Sequence, residues 1–336
     1  MYPFSEVNKV QEEIRKYDPM QCYLLYDSNT INHCDNIIRN QFPDLNDSER
    51  IIIPAGDQYK TLERCITIWN TLAKIGANRN SLLINVGGGM ITDIGGFAAS
   101  NYKRGIAFIN IPTSLLGMVD ACVGGKTGIN FNNFKNQLGV FANAQCIYIN
   151  TQFLESLPLN ELYSGLGEMI KHLLLFKEDA LEFILKNTDI KNWTSESCIL
   201  KNIQLKKAIV EIDYLDNNER QCLNFGHTIG HAIESLSHEK KTPLLHGEAV
   251  LLGMIEELKL SEKLYNTPEE IRAVLEAVKQ KFFPFLDFRY KFEKLIPFLQ
   301  QDKKNENGIR FSLLENVAKP KLKVVISLEE LKNELS

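Results

Sequence analysis

His227 and His231 stand four residues apart in the run from Leu223 to Glu234, and His246 follows in a His246-Gly-Glu248 sequence. The 336-residue chain has six histidines, and His227, His231, His238 and His246 all fall in this window. Residues four apart on a helix share a face, so His227 and His231 can enter one cavity. Two imidazoles on one face build a divalent-metal site or an acid–base pair; packing against the fold is the structural alternative. Metal-assisted peptide hydrolysis is disfavoured, because Thr228 stands where the His-Glu-x-x-His pattern needs its glutamate. Gly226 and Gly230 each cost a helix about 1 kcal/mol relative to alanine, and we read them as leaving room for a bulky group beside the imidazoles. His238 lies in a polar run, Ser237 to Lys241, and reads as a surface residue.

Two glycine-rich segments suggest anion binding. Gly87-Gly88-Gly89 follows the apolar run Ser81–Val86 and leads to Asp93. Glycines after a strand let the backbone approach a pyrophosphate, which the next helix N-terminus favours electrostatically. The match to G-x-G-x-x-G is incomplete, since Thr92 holds the third glycine position. Asp120 to Thr127 contains Gly124-Gly125-Lys126; it is not a Walker A loop, but its backbone N–H groups and ammonium can hold an anion. Arg104, Lys135 (beside Asn136), Lys171, Lys206, Arg220 and the Lys303-Lys304 pair are further candidate cations. Taken singly each reads as a solvated surface charge, and their value depends on whether the fold gathers them. Glu168 precedes Lys171 by three residues, which fits an ordinary helical ion pair worth a few tenths of a kcal/mol. The functional reading makes Glu168 the carboxylate completing a Glu/His/His metal site, three protein ligands leaving zinc open positions for substrate oxygens.

The elements that must position these groups fall into two halves. Residues 22–26, 51–53, 81–86, 106–111 and 145–149 are strand candidates, with amphipathic helical stretches such as 61–76 and 91–103 between them. Strands alternating with helices imply a parallel sheet covered on both faces. Beyond Leu157-Pro158 helical patterns dominate from Glu161 to about Leu299, followed by two β-like runs, 310–314 and 322–326. The expected architecture is α/β: a Rossmann-like nucleotide-binding domain over 1–155, and a mainly α-helical metal- and substrate-binding domain over 156–336, with a cleft between them. A hydrophobic share of 44%, a charged share of 24% and a formal net charge of −4 describe an ordinary globular chain with no call for nucleic acid or an anionic membrane. No apolar run approaches a membrane helix, and the first residues lack a secretory apolar core. Seven scattered cysteines without a C-x-x-C read as reduced thiols in a cytoplasmic protein, so any metal must use His and carboxylate ligands.

With its segments taken in order, the chain resembles the 3-dehydroquinate synthases of the sugar-phosphate cyclase family. The resemblance rests on Pro54–Lys60, Gly87–Arg104, Pro112–Leu116, Asp120–Asn136, Ser164–Lys171, Arg220–His231, His246-Gly-Glu248, and Asp302–Lys304 leading to Arg310-Phe311. It implies NAD and a divalent metal, usually zinc with cobalt as the alternative, and a homodimer. The metal ligands would be Glu168, His227 and His246, leaving His231 for acid–base or substrate-positioning work. NAD contacts would come from Asp57, Lys60, Gly88, Gly89, Asp93, Thr113, Ser114, Asp120 and Lys135. Lys126, Asn136, Lys206, Arg220, Asn224 and Lys303 would meet the substrate's phosphate and carboxylate. Arg104 would reach into the neighbouring subunit's site, and Lys171 would sit beside the reacting hydroxyls. Asp120 and Asp216 join Lys171 and His231 as catalytic candidates.

The implied reaction converts 3-deoxy-D-arabino-heptulosonate 7-phosphate into 3-dehydroquinate and phosphate. Transient oxidation at C5 acidifies the neighbouring C–H, phosphate leaves by β-elimination, the hydride returns, and ring opening with an intramolecular aldol closes the carbocycle. Net redox is zero. The sequence departs from the family pattern at Asp57 and Asp216, where glutamate is usual, at Met118 and Ala121-Cys122, and at Gly167, where alanine is usual. Asp216 bears most on mechanism, since a carboxylate shorter by one methylene shifts a proton relay. The rivals are a cyclase acting on sedoheptulose 7-phosphate or glucose 6-phosphate, whose substrates lack the carboxylate, and a metal-dependent polyol dehydrogenase.

Overall fold

The computed structural model describes residues 3–132, 134–300 and 308–335. The chain forms two compact units, one of Met1–Pro158 with Thr194–Ile199, the other of Leu159–Trp193 with Leu200–Ser336.

In the first unit the order is β1 (Pro3–Phe4), α1 (Val7–Ile14), β2 (Cys22–Asp27), α2 (Thr30–Gln41), β3 (Glu49–Ile53), α3 (Leu62–Lys74), β4 (Leu82–Gly87), α4 (Gly89–Asn101), β5 (Ala107–Pro112), β6 (Lys126–Phe131), β7 (Phe134–Phe141) and β8 (Ile147–Tyr148). Six of these strands form one sheet in the order β1-β8-β5-β4-β2-β3, every pairing parallel. Cys22–Asp27 and Leu82–Gly87 are buried along their whole length, as strands covered on both faces must be. Leu24, Leu25, Leu83 and Ile84 are fully buried, each contributing about 1.5–3 kcal/mol. The chain steps outward from β2 to β3, then returns to lay β4 on the other side of β2. That reversal puts a topological switch point at the carboxyl ends of β2 and β4, where open parallel sheets bind ligands. The Gly87-Gly88-Gly89 turn leaves β4 at this point.

The antiparallel ribbon of β6 and β7 lies outside the sequence expectation. Its register sets Gly128 opposite Gly139, and the polar residues around its turn hide the alternation a strand usually shows.

The second unit contains α5 (Leu159–Phe176), α6 (Ala180–Lys186), α7 (Ile190–Trp193), most of α8 (Glu196–Ile212), α9 (His227–Ser237), α10 (His246–Tyr265), α11 (Glu269–Phe282), α12 (Phe292–Leu299), the antiparallel pair β9 (Ile309–Asn316) and β10 (Lys319–Ile326), and α13 (Leu328–Leu335). The expected late ribbon is present and longer than its apolar runs suggested. Helix α10 is the central element, buried on all sides from Ala249 to Ile255; a helix apolar all round belongs in a core. It meets two neighbours backbone to backbone. A Cβ on Gly247 would overlap the Ser164 carbonyl oxygen of α5, and one on Gly253 would overlap the Gly226 carbonyl oxygen and lie 2.6 Å from Gly230 N in α9. Among the described residues no helix is long and apolar enough to cross a membrane.

Because both atoms facing Gly253 are backbone, Gly253→Ala must push α9 from α10. It is expected to destabilise the protein by about 1–3 kcal/mol, read as a lower denaturant midpoint. An unchanged midpoint would show that the two helices do not touch there.

Candidate functional site

Helices α5, α9 and α10 each deliver one donor to the same point. Glu168 leaves the middle of α5 fully buried, while His227 and His246 are the first residues of α9 and α10. Glu168 Oε1 lies 3.4 Å from His227 Nε2 and 3.5 Å from His246 Nε2. A tetrahedral ion with donors at about 2.0–2.1 Å separates its ligand atoms by about 3.3–3.4 Å, so this donor set fits a zinc-like cation in both chemistry and spacing. Each imidazole is oriented from behind. His227 Nδ1 donates to the Phe225 carbonyl oxygen at 3.1 Å, and His246 Nδ1 faces Glu234 Oε2 at 3.4 Å. These contacts turn both Nε2 atoms toward Glu168, the arrangement in which metal-binding histidines are held.

The electrostatics of the two imidazoles differ. Burial and the Lys171 ammonium, with the neighbouring imidazoles, hold His227 well below its ordinary range against the pull of Glu168. Burial also acts on His246, but Glu168 and Glu234 outweigh it and push the ring up to about 10. His231 is exposed, its ring centroid 5.1 Å from that of His227 and 5.6 Å from that of His246. Ring nitrogens of all three imidazoles fall within 4.8 Å of one another, so His231 stands beside the set. The Glu168 carboxylate pairs with Lys171 Nζ, both buried. This is not the exposed helical ion pair worth tenths of a kcal/mol; removing one partner of a buried pair strands the other's charge at a cost of about 3–5 kcal/mol.

The glycines of the histidine run serve a different purpose from the one expected. A Cβ on Gly230 would lie 3.0 Å from the Ala249 carbonyl oxygen and 3.2 Å from Val250 Cα. They admit α10, so the space they leave is filled by protein. Gly167 behaves likewise: a Cβ there would lie 2.5 Å from the Gly247 carbonyl oxygen, so an alanine would need a slightly wider spacing of α5 and α10.

Further along the second unit, Arg220 is buried and gives Nη1 to the Tyr214 carbonyl oxygen at 2.7 Å. The Asp213 carboxylate shapes its loop by accepting the N–H groups of Asn217, Asn218 and Arg220. Asp216 sits in that loop with a left-handed φ of 59°. Cys222, whose thiol burial pushes up to about 12, feels the charges of both Lys171 and Asp216. Lys206 is buried on α8 and Asn224 is exposed just before α9. Lys303 lies outside the described residues.

In the first unit a second cluster forms around Lys60, itself buried. Its Nζ donates to Asn136 Oδ1 at 2.7 Å and Asp93 Oδ2 at 3.1 Å, with Asp57 Oδ1 at 3.5 Å. Burial alone would lower this ammonium, but Asp93 and Asp57 hold it above its ordinary value. Lys135 Nζ lies 3.7 Å from Asp57 Oδ2. Around the β4–α4 turn, a Cβ on Gly88 would lie 3.2 Å from Ser114 Oγ, and one on Gly89 would lie 3.1 Å from Ala121 Cβ. Thr113 N donates to the Gly87 carbonyl oxygen at 2.9 Å. Asp120 occupies a short π-helical turn, Gly117–Ala121; burial raises the Asp93 carboxyl against the pull of Lys60, and repulsion from Asp57 and Asp120 adds to the rise. The unit thus gathers Asp57, Lys60, Asp93, Lys135 and Asn136 in one network, and Gly88, Gly89, Thr113, Ser114 and Asp120 around the turn. Lys126 is exposed at the start of β6, and Arg104 is exposed with φ 69° in the turn after α4.

Sequence reasoning passed over several residues. Glu234 lies three residues after His231 and seven after His227 on α9, a helical spacing that would have flagged it. His172, four residues after Glu168, sits with Nε2 3.8 Å from Glu168 Oε2 and Nδ1 2.8 Å from Asn202 Oδ1. Asn130 Nδ2 donates to the Asp57 carboxylate at 3.1 Å, a contact made by the unanticipated ribbon and therefore invisible in the sequence pattern.

Comparison with known proteins identifies the family. A family model described as 3-dehydroquinate synthase N-terminal matches residues 50–164, and one described as 3-dehydroquinate synthase C-terminal matches residues 165–305. The chain is similar to a 3-dehydroquinate synthase of Parabacteroides distasonis, 42% identical over 94% of this chain and 90% of that protein. It is also 42% identical to one of Clostridium tetani, over 82% of this chain and 74% of the other. Among solved structures it resembles a 2-deoxy-scyllo-inosose synthase complexed with carbaglucose-6-phosphate, NAD+ and Co2+, at a TM-score of 0.83 and 25% identity, covering 96% of this chain and 93% of that one. An iron-containing alcohol dehydrogenase of Thermococcus thioreducens, 12% identical with a TM-score of 0.67 over 99% of this chain and 96% of that one, shares the fold alone. On these grounds the chain belongs to the 3-dehydroquinate synthase family.

Proposed function

We propose that the protein converts 3-deoxy-D-arabino-heptulosonate 7-phosphate into 3-dehydroquinate and phosphate, with NAD+ as recycled oxidant and a divalent metal at Glu168, His227 and His246. The observation that carries the reading is the convergence of Glu168 Oε1 with the two Nε2 atoms at 3.4 and 3.5 Å, in a chain matched by both family models. The 42% identity to proteins named 3-dehydroquinate synthase, against 25% to an inosose synthase, favours the carboxylate-bearing heptulosonate over a sugar phosphate that lacks the carboxylate. The likeness to alcohol dehydrogenases shows only the fold and does not support net oxidation of a polyol.

When bound, the metal supplies Lewis-acid polarisation of the substrate hydroxyl and NAD+ the hydride acceptor. The protein's own groups do the holding and proton handling. The N-terminus of α4, opened by Gly88 and Gly89, receives the dinucleotide pyrophosphate, while Asp57, Lys60, Asp93, Thr113, Ser114, Asp120 and Lys135 position the rest of NAD. Lys126, Asn136, Lys206, Arg220, Asn224 and Lys303 bind the two anionic ends of the substrate, which fixes its geometry through successive steps. Lys171 Nζ, paired with Glu168, binds the reacting hydroxyls. The His231 imidazole, exposed beside His227, moves a proton at its ring nitrogen, and the Asp216 carboxylate relays one. A homodimer in which Arg104 serves the neighbouring site, and a reducing cytoplasmic setting for the buried thiols, belong to the same proposal.

Incubating the protein with the heptulosonate phosphate, catalytic NAD+ and Zn2+ should release phosphate and 3-dehydroquinate in equal amounts. Stoichiometric NADH accumulation, or phosphate without dehydroquinate, would sink the reading. His246→Ala should lose metal and turnover together, whereas His231→Ala should keep its metal and lose about 10²–10⁴ in kcat; retained zinc in the first variant refutes the ligand assignment. Glu234→Gln should weaken metal affinity by about 10–100-fold, measured by chelator competition, and undiminished affinity would remove Glu234 from behind His246.

A further inference from the structure

Helix α9 begins without a cap of its own. Its first residue is His227, the residue before it is Gly226 with φ 76°, and no side chain at that position accepts from the first turn. N–H groups at a helix start lack partners within the helix, and here those of buried Gly226 and Ile229 are met from the neighbouring helix. Glu257, fully buried and eleven residues along α10 from His246, accepts from Gly226 N through Oε2 at 2.6 Å and from Ile229 N through Oε1 at 3.0 Å. The two oxygens thus grip the backbone on either side of His227. Burial pushes the Glu257 carboxyl up to about 8, and the N–H groups of Ile229, Gly226 and Thr228 pull it back. Among the described residues it forms no ion pair, so its desolvation is offset by backbone donors alone. A buried carboxylate is a costly way to cap a helix. It does what a local Ser or Asp cap could not: it ties the start of α9 to the same helix that carries His246.

We infer that Glu257 is a positioning residue for the metal site, setting the His227 imidazole at its distance from Glu168 and His246 by capping α9 from α10. The inference rests on the proposed ligation by Glu168, His227 and His246. Gln at this position keeps the volume, but it turns an NH2 group toward one of the two backbone donors, so the grip on one side of His227 is released. The imidazole then has a wider range of positions, and the closed donor spacing is populated less often.

The test is titration of the metal-free protein with Co2+, following affinity and the visible ligand-field spectrum, alongside thermal unfolding. Four chains are compared: the unaltered protein, Glu257→Gln, His246→Ala, and Leu275→Ala, which removes a fully buried side chain of α11, a helix that carries none of the proposed donors. Glu257→Gln is expected to bind Co2+ about tenfold or more weakly, with shifted ligand-field bands, while Leu275→Ala lowers the unfolding temperature and leaves affinity and spectrum unchanged. If Glu257→Gln lowers only the unfolding temperature, with Co2+ affinity and bands intact, Glu257 is structural and the inference is overturned. If His246→Ala binds Co2+ like the unaltered protein, the ligand assignment itself fails and takes the inference with it; loss of binding there with full binding in Glu257→Gln overturns the inference alone. Should Glu257→Gln not fold, Glu257→Asp, which keeps the charge but cannot span both donors, is read by the same criteria.

Discussion

The geometry of the second unit depends on how closely three helices approach. Glu168, His227 and His246 come from α5, α9 and α10, and their donors meet at 3.4–3.5 Å. Helix axes usually lie about 8–10 Å apart, depending on the side chains at the contact. Here the contacts are glycines, Gly247 against Ser164 and Gly253 against Gly226 and Gly230, so backbone rests on backbone. Rigid helices fixed at such contacts leave short side chains little freedom, and the donors converge because their helices cannot separate.

That closeness brings charge into the core, and the unit manages it by pairing and by direction. Glu168 is matched by Lys171, Glu234 by His246, and Glu257 by the backbone N–H groups at the head of α9. His227 and His246 both sit at helix N-termini, where the aligned peptide dipoles favour negative charge and therefore a carboxylate such as Glu168 nearby. The first unit follows the same economy with the signs reversed: one buried ammonium, Lys60, is held by Asp57, Asp93 and Asn136. In both units buried charges are held by partners placed around them.

Much of this was legible in the residues. The alternation of apolar strands with helices announced a parallel sheet, and β2, β4 and β5 lie within a residue of their expected bounds. The spacing of His227 and His231 announced a helix, and α9 begins at His227. Less was legible where contacts are made by unlike segments. The β6–β7 ribbon was missed because paired glycines and a polar turn mask its alternation, and with it Asn130 beside Asp57. Gly226 and Gly230 looked like room for a ligand; they are room for α10. Glu257, three turns along α10 from His246, gave no sign of where its carboxylate would go.

Sequence by itself determined the types of most elements and the family, because period, turn chemistry and ordered motifs are local properties of the chain. Only the tertiary structure decided which imidazole faces Glu168 and which stands outside it. His227 and His231 are equivalent by helical spacing and both lie beside His246; they part because α5 brings Glu168 to within 3.4 Å of His227 Nε2 and Glu257 holds the head of α9. Distance between helices is set by the backbone atoms in contact, and no linear pattern of residues carries that quantity.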